Sequence, residues 1–189
     1  MNRLFISSVA LAAVGLCGAV SAQVYVGIQV GTSRADIDCS GTTSCDKSDT
    51  SFKLLGGYKL TPEWGLEVGY TDLGEISGSA VVPGVGLTNL KIEGTSLGFG
   101  AAYHIPFSAD WNGVARFGIA RNKADLTVVA GSQSGSESQS KTKPYLGFGV
   151  GYALSKELSL TGVWDWTELE FEGEKAKTNS FSIGLNWAF

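Results

Sequence analysis

Tyr145-Leu146-Gly147-Phe148-Gly149-Val150-Gly151-Tyr152-Ala153-Leu154 alternates without a break. Leu146, Phe148, Val150, Tyr152 and Leu154 fall on one side of an extended chain. Tyr145, Gly147, Gly149, Gly151 and Ala153 fall on the other. A period of two over ten residues is the signature of a β-strand. One side is large and apolar and the other is almost bare, so the two faces meet different surroundings.

The same scheme recurs seven more times. Val24, Val26, Ile28 and Val30 oppose Tyr25, Gly27, Gln29 and Gly31. Phe52, Leu54, Gly56, Tyr58 and Leu60 oppose Ser51, Lys53, Leu55, Gly57 and Lys59. Similar registers start at Trp64, Ser96, Trp111, Leu158 and Ser180, the last ending on Phe189. A soluble barrel that buried its apolar face would need a second face dense in charge. Here that face is mostly Gly, Ala, Ser and Thr, too small and bland for a wetted skin. The apolar face carries no charge in these registers, where a Lys or Arg at a bilayer midplane would cost ~2–4 kcal/mol. The apolar face therefore points to lipid and the small face fills a lumen. The expected fold is all-β, an eight-stranded antiparallel up-and-down transmembrane barrel.

Connections alternate in length. Thr61-Pro62-Glu63, 106–110 and Ser155-Lys156-Glu157 are short, whereas 32–49, 74–91, 130–142 and 172–178 are longer and polar or glycine-rich. Outer-membrane barrels have short periplasmic turns and longer extracellular loops, so both termini are expected in the periplasm. Tyr58, Trp64, Tyr103, Trp111, Tyr152, Trp187 and Phe189 fall beside the short turns or the C-terminus. Tyr70, Trp164, Trp166 and Phe181 fall toward the long loops. Two aromatic girdles are what amphipathic rings form at two interfaces. The register of 121–130 stays open, and Gly131 to Ser140 reads as a surface loop.

Residues 1–22 read as a cleaved secretory signal peptide, with Arg3 in a positive start, an apolar run from Leu4 to Leu16, and Val20-Ser21-Ala22 as the cleavage site. A lipidated Cys17 is the competing reading, disfavoured by Leu16 before it. The barrel domain is then 23–189. Loss of Arg3 takes the formal net charge from −4 to −5, which gives no basis for nucleic-acid binding. Cys39 and Cys45 remain, and in an exported chain two nearby cysteines are expected to pair. So small a loop would contribute only ~2 kcal/mol.

The run Ser51 to Leu60 followed by Trp64 to Gly74, with its Gly-Tyr and Glu67-x-Gly69-Tyr70 elements, resembles the transmembrane domain of the OmpA-like outer-membrane family. Gly149-Val150-Gly151-Tyr152 resembles the corresponding later hairpin. Ser182-x-Gly184-x-x-Trp187-x-Phe189 is similar to the signal read by the barrel assembly machinery, which takes an edge strand by strand addition. The resemblance implies outer-membrane lipid and lipopolysaccharide as surroundings, that machinery and periplasmic chaperones as partners in biogenesis, and a monomer. The chain stops at Phe189, where longer relatives continue into a peptidoglycan-binding domain, so wall tethering is not expected of it.

Lys53, Glu67, Arg116 and Asp165 share the lumenal face, and Glu67 and Arg116 should lie at similar heights. An eight-stranded interior is just filled by side chains, and charges inside it must pair. A structural polar plug is expected, with a switchable gate as the alternative the resemblance implies. The single histidine, His104, is expected inward near a short turn, away from where lipid chemistry would need it. No catalytic group, cofactor or metal site is expected, and the Gly-x-Gly runs have no helix after them to make a nucleotide loop. The expected function is structural or surface-interacting, with the long loops shown to ligands. A narrow porin-like channel or small-solute transporter, and an adhesin or phage-receptor surface, are the alternatives.

Overall fold

The computed structural model describes residues 24–37, 43–82, 86–130, 133–171 and 174–189. The expected signal peptide and Cys39 lie outside the described residues. Among these, all regular structure is strand: β1 Val24–Asp36, β2 Ser44–Asp46, β3 Ser48–Lys59, β4 Trp64–Val82, β5 Gly86–Pro106, β6 Trp111–Ala130, β7 Gln133–Ala153, β8 Leu158–Phe171 and β9 Glu174–Ala188. Neighbours pair antiparallel in the order β4-β3-β1-β9-β8-β7-β6-β5, and a further β4–β5 pairing closes the ring. Closure leaves no open edge within the wall, so every backbone group there finds its partner without water. Short β2 lies outside the ring on β4, Ser44 opposite Ser79. The eight expected strands form the barrel, and β2 is a ninth.

The two faces separate as the alternation demands. Val24, Val26, Ile28 and Val30 are exposed while Tyr25 and Gln29 between them are buried. Outward rings gather at the short-turn end, where Trp64 lies 4.8 Å from Tyr103 and Trp111 lies 5.0 Å from Tyr152. Tyr58, Trp187 and Phe189 face out at the same end. Trp164 stacks on Phe148 toward the other.

The three short turns share one device. Thr61 Oγ1, Ser108 Oγ and Ser155 Oγ each accept from the backbone N–H three residues on, at 2.9, 3.1 and 3.0 Å. Each hydroxyl also accepts from the N–H two residues on. A Ser or Thr side chain thus replaces a backbone acceptor and fixes the reversal. The carbonyls of Glu63, Asp110 and Glu157 then accept from His104, Ala153 and Ala188 on the next strand along.

At the opposite end the structure corrects the expectation of coil. Positions 74–82 continue β4, 86–91 begin β5, and 133–142 begin β7. The open register of 121–130 resolves as β6, paired with β5 from Asn112–Pro106 up to Ala130–Thr88. Strands β5, β6 and β7 have 21, 20 and 21 residues, whereas ~9–11 tilted residues cross a bilayer. About half of each therefore stands clear of the apolar belt. The reason is physical: above the belt no apolar face is called for, so a paired polar strand such as Ser134 to Lys141, in which Ser134, Ser136, Ser138 and Ser140 alternate with Gly135, Glu137, Gln139 and Lys141, carries no apolar stripe.

The protruding sheet leaves the barrel at a bulge in β4 between Asp72 and Glu75, with Gly74 at φ 77°. A Cβ at Gly74 would stand 2.6 Å from Thr50 O, and that φ is unfavourable for any other residue. Asp49 anchors the bend by accepting from Glu75 N–H at 2.8 Å and Thr50 N–H at 2.7 Å. These two donors hold its carboxyl below the ordinary 3.8. A depressed folded-state value means the anchor is intact above the ordinary value and is lost as pH falls through the lowered one. Asp49→Ala should hasten proteolysis of the 72–95 hairpin at neutral pH and remove its acid dependence; an unchanged cleavage rate would exclude the anchor.

Candidate functional site

Inside the barrel the four expected charges meet as two ion pairs. Arg116 Nε lies 2.6 Å from Glu67 Oε2, and Lys53 Nζ lies 2.6 Å from Asp165 Oδ2. All four are buried, Arg116 to 3% exposure. Cross-strand neighbours explain how side chains this long fit. Glu67 stands between Gly57 and Gly100, Arg116 between Ala102 and Gly147, and Asp165 between Gly147 and Ser180. Small neighbours let the charged chains lie across the lumen. Adding a Cβ at Gly147 would drive it into the Asp165 carboxylate.

Two phenols complete the network. Tyr25 OH donates to Glu67 Oε1 at 2.6 Å. Tyr145 OH donates to Asp165 Oδ1 at 2.7 Å and accepts from Lys53 Nζ at 2.8 Å. Each carboxylate thus receives one cation and one hydroxyl, as buried charges require. The sequence places both tyrosines on the lumenal face but does not show them as partners. A phenol among glycines is itself the signal, because its buried hydroxyl needs a polar group. His104 Nε2 sits 3.4 Å from Tyr25 OH, facing the short-turn end.

Little space remains. A cavity of about 30 Å³ between the pairs is lined by Lys53, Glu67, Arg116 and Tyr145, room for a water or two. Toward the protruding sheet, Leu73, Leu169, Ala35 and Ala124 bury an apolar layer above the charges. Gln29, Ser182, Asn122 and Thr167 add hydrogen bonds between these levels. A wider hollow of about 350 Å³ opens at the short-turn end, beside His104 and Asn186. The charged pairs and the apolar layer above them lie, among the described residues, between this hollow and the opposite end. Among the described residues no three His, Cys, Asp or Glu converge to hold a metal ion.

The expected assembly strand is β9, which pairs with the first strand β1. In β9, Ser182 and Gly184 face inward and Trp187 faces out, as does Phe189 just after the strand. A Cβ at Gly184 would collide with Ile28 O across the β1–β9 seam. Phe189 N–H donates to Val24 O at 2.9 Å, tying the two chain ends of the barrel together. Cys45 lies on β2, and its expected partner Cys39 lies outside the described residues.

A closed, lipid-faced ring around a plugged polar lumen defines a small outer-membrane β-barrel. The chain belongs to the outer membrane protein beta-barrel domain family, which it matches over residues 5–189. No curated protein matches it significantly by sequence. Among solved structures it is similar to Ail, the attachment invasion locus protein of Yersinia pestis. The TM-score is 0.59 at 17% identity, over 90% of this chain and 100% of that one. Neisserial surface protein A gives 0.61 at 16% identity, over 88% and 97%. The N-terminal barrel domain of Pseudomonas aeruginosa OprF gives 0.50 at 16%, over 86% and 97%. At these identities the likeness is one of fold.

Proposed function

We propose that this protein is a non-enzymatic, plugged scaffold that displays a polar β-sheet at the cell surface for interaction, with its short turns and both termini in the periplasm. One observation carries the reading: β5 to β7 stay paired for about half their length beyond the apolar belt while the lumen below is closed by two ion pairs. Building so long a sheet orders many residues that the membrane anchor does not need, and that entropic cost has to be offset by pairing. Two surface ion pairs, Lys91–Glu75 and Lys123–Asp125, lie on the sheet and suit it to water. Among the described residues β7 ladders with β8 only from Tyr145 to Ala153, and above that level Lys141 and Lys143 reach Glu170 of β8 through their side chains. The fold shared with a protein named for attachment and invasion is compatible with such a role.

Planar-bilayer recordings should show no steady conductance at neutral pH, and sustained channels would replace this reading with the porin-like one. Trypsin added to intact cells should cut at Lys123 or Lys141 and leave the membrane-embedded part; protection of the sheet would reverse the orientation. The proposed Cys39–Cys45 bond would close a short loop ending on β2. Without reductant an alkylating reagent should label neither thiol, and labelling of both would remove the bond from the account.

A further inference from the structure

The lipid-facing wall is not uniform. A groove of about 520 Å³ runs down it across β1, β9, β8 and β7. Gly162 is its floor, where an added Cβ would touch nothing within 4 Å. On one side stands the ridge of Phe181 and Ile183, 63% and 65% exposed. On the other, Phe148 and Trp164 stack with centroids 5.9 Å apart and planes 12° apart, making a flat wall. The register shows why the hollow exists: Gly162 lies between Val150 and Ile183, and the next outward row holds Trp164 between Phe148 and Phe181. A missing side chain below two rows of rings leaves a slot of acyl-chain width.

What lies above the slot selects its occupant. One row higher, Trp166 pairs with Asn179, and Asn179 with Arg34. Arg34 is exposed on the outward side of β1, and its other neighbour is Ser48. Measured along the strand it stands about 13 Å above Val30 at the groove's edge. In the row above that, Lys177 lies between Asp36 and Glu168, so two carboxyl groups stand beside its charge. Among the described residues Arg34 is therefore the cation aligned with the groove, at the level where a lipid headgroup begins. Its planar fork suits a phosphate.

We propose that this groove seats one acyl chain of a phosphorylated outer-leaflet lipid, with Arg34 holding the phosphate. A second copy of the chain fits less well. A two-fold axis along the membrane normal through this face would bring Arg34 against Arg34, a like-charge contact that disfavours the pairing. The assignment of leaflet rests on the orientation proposed above, which proteolysis of intact cells tests independently of lipid binding.

The experiment is native mass spectrometry of the refolded protein in detergent, titrated with bisphosphorylated hexa-acyl lipid A. The wild type should hold one lipid. Gly162→Phe, which fills the floor, and Arg34→Ser, which removes the cation, should each weaken retention by about tenfold, the scale of one charge-assisted contact. Gly56 is the control: it also faces lipid with nothing within 4 Å of an added Cβ, but lies between Val26 and Val68 away from the groove. Gly56→Phe should retain lipid as the wild type does, with all variants showing heat-modifiable mobility as proof of folding. Equal retention by Gly162→Phe and Gly56→Phe would overturn the site. A wild-type dimer that Gly162→Phe splits would overturn it in favour of contact between copies.

Discussion

Replacing Arg116 with Met is expected to destabilise the barrel by about 3–5 kcal/mol, because it leaves the Glu67 carboxylate buried without its cation. Tyr25 would still donate one hydrogen bond to Glu67, but one neutral donor does not offset a buried charge. The measurement is urea unfolding of the refolded protein in lipid vesicles, followed by tryptophan emission and by gel mobility. Glu67→Gln in the same chain should recover most of the loss, since the charge is removed and the amide still accepts from Tyr25. That recovery distinguishes a charge effect from a packing effect. If Arg116→Met alone costs less than about 1 kcal/mol, the pair is exposed to water and the plug is not closed.

The same logic separates a plug from a gate. A gate needs two arrangements of similar free energy, and each carboxylate here would have to exchange both a cation and a phenol to reach another. Tyr145 bridges Lys53 and Asp165 within 2.8 Å on either side. The geometry thus weights the network toward structure.

Facing was legible in the sequence because the strand period is two and the two sides meet lipid and lumen. Leu55 and Glu67 could be placed inward without knowing any partner strand. Partnership was not legible in the same way. Tyr25 and Glu67 lie 42 positions apart, and only the cross-strand register brings them together. The four charges could be assigned to one face, yet which cation met which carboxylate depended on heights set by the three hydroxyl-capped turns. Those turns were visible as short connections, and the repeat of Thr61, Ser108 and Ser155 three residues before Trp64, Trp111 and Leu158 was the unread signal. The protruding sheet was the least legible part. Leu126 pairs opposite Glu137 and Thr127 opposite Ser136, combinations that follow neither a lipid face nor a core.

Glycine substitution gives the sharpest contrast the wall allows. Gly100 on β5 lies directly opposite Gly118 on β6. A Cβ built on Gly100 would run into Phe117 O and stand 2.8 Å from Gly118 Cα, and one built on Gly118 would meet Phe99 O and stand 2.6 Å from Gly100 Cα. These are backbone atoms of a hydrogen-bonded partner strand, so no rotamer change relieves the contact and the two strands must part. Gly100→Val is therefore expected to cost more than about 3 kcal/mol, or to abolish refolding into the heat-modifiable form, above the usual range for overpacking a side-chain core. At Gly162 the same substitution meets open space. Valine is a better strand residue than glycine and leaves the unfolded chain fewer states to lose, so Gly162→Val should be neutral or gain up to about 1 kcal/mol. Both changes add the same side chain to a strand of the same barrel, one toward the lumen and one toward lipid. If the two variants unfold alike, the close approach of β5 and β6 is not a constraint on closure, and the small lumenal face is set by something other than the spacing of the strands.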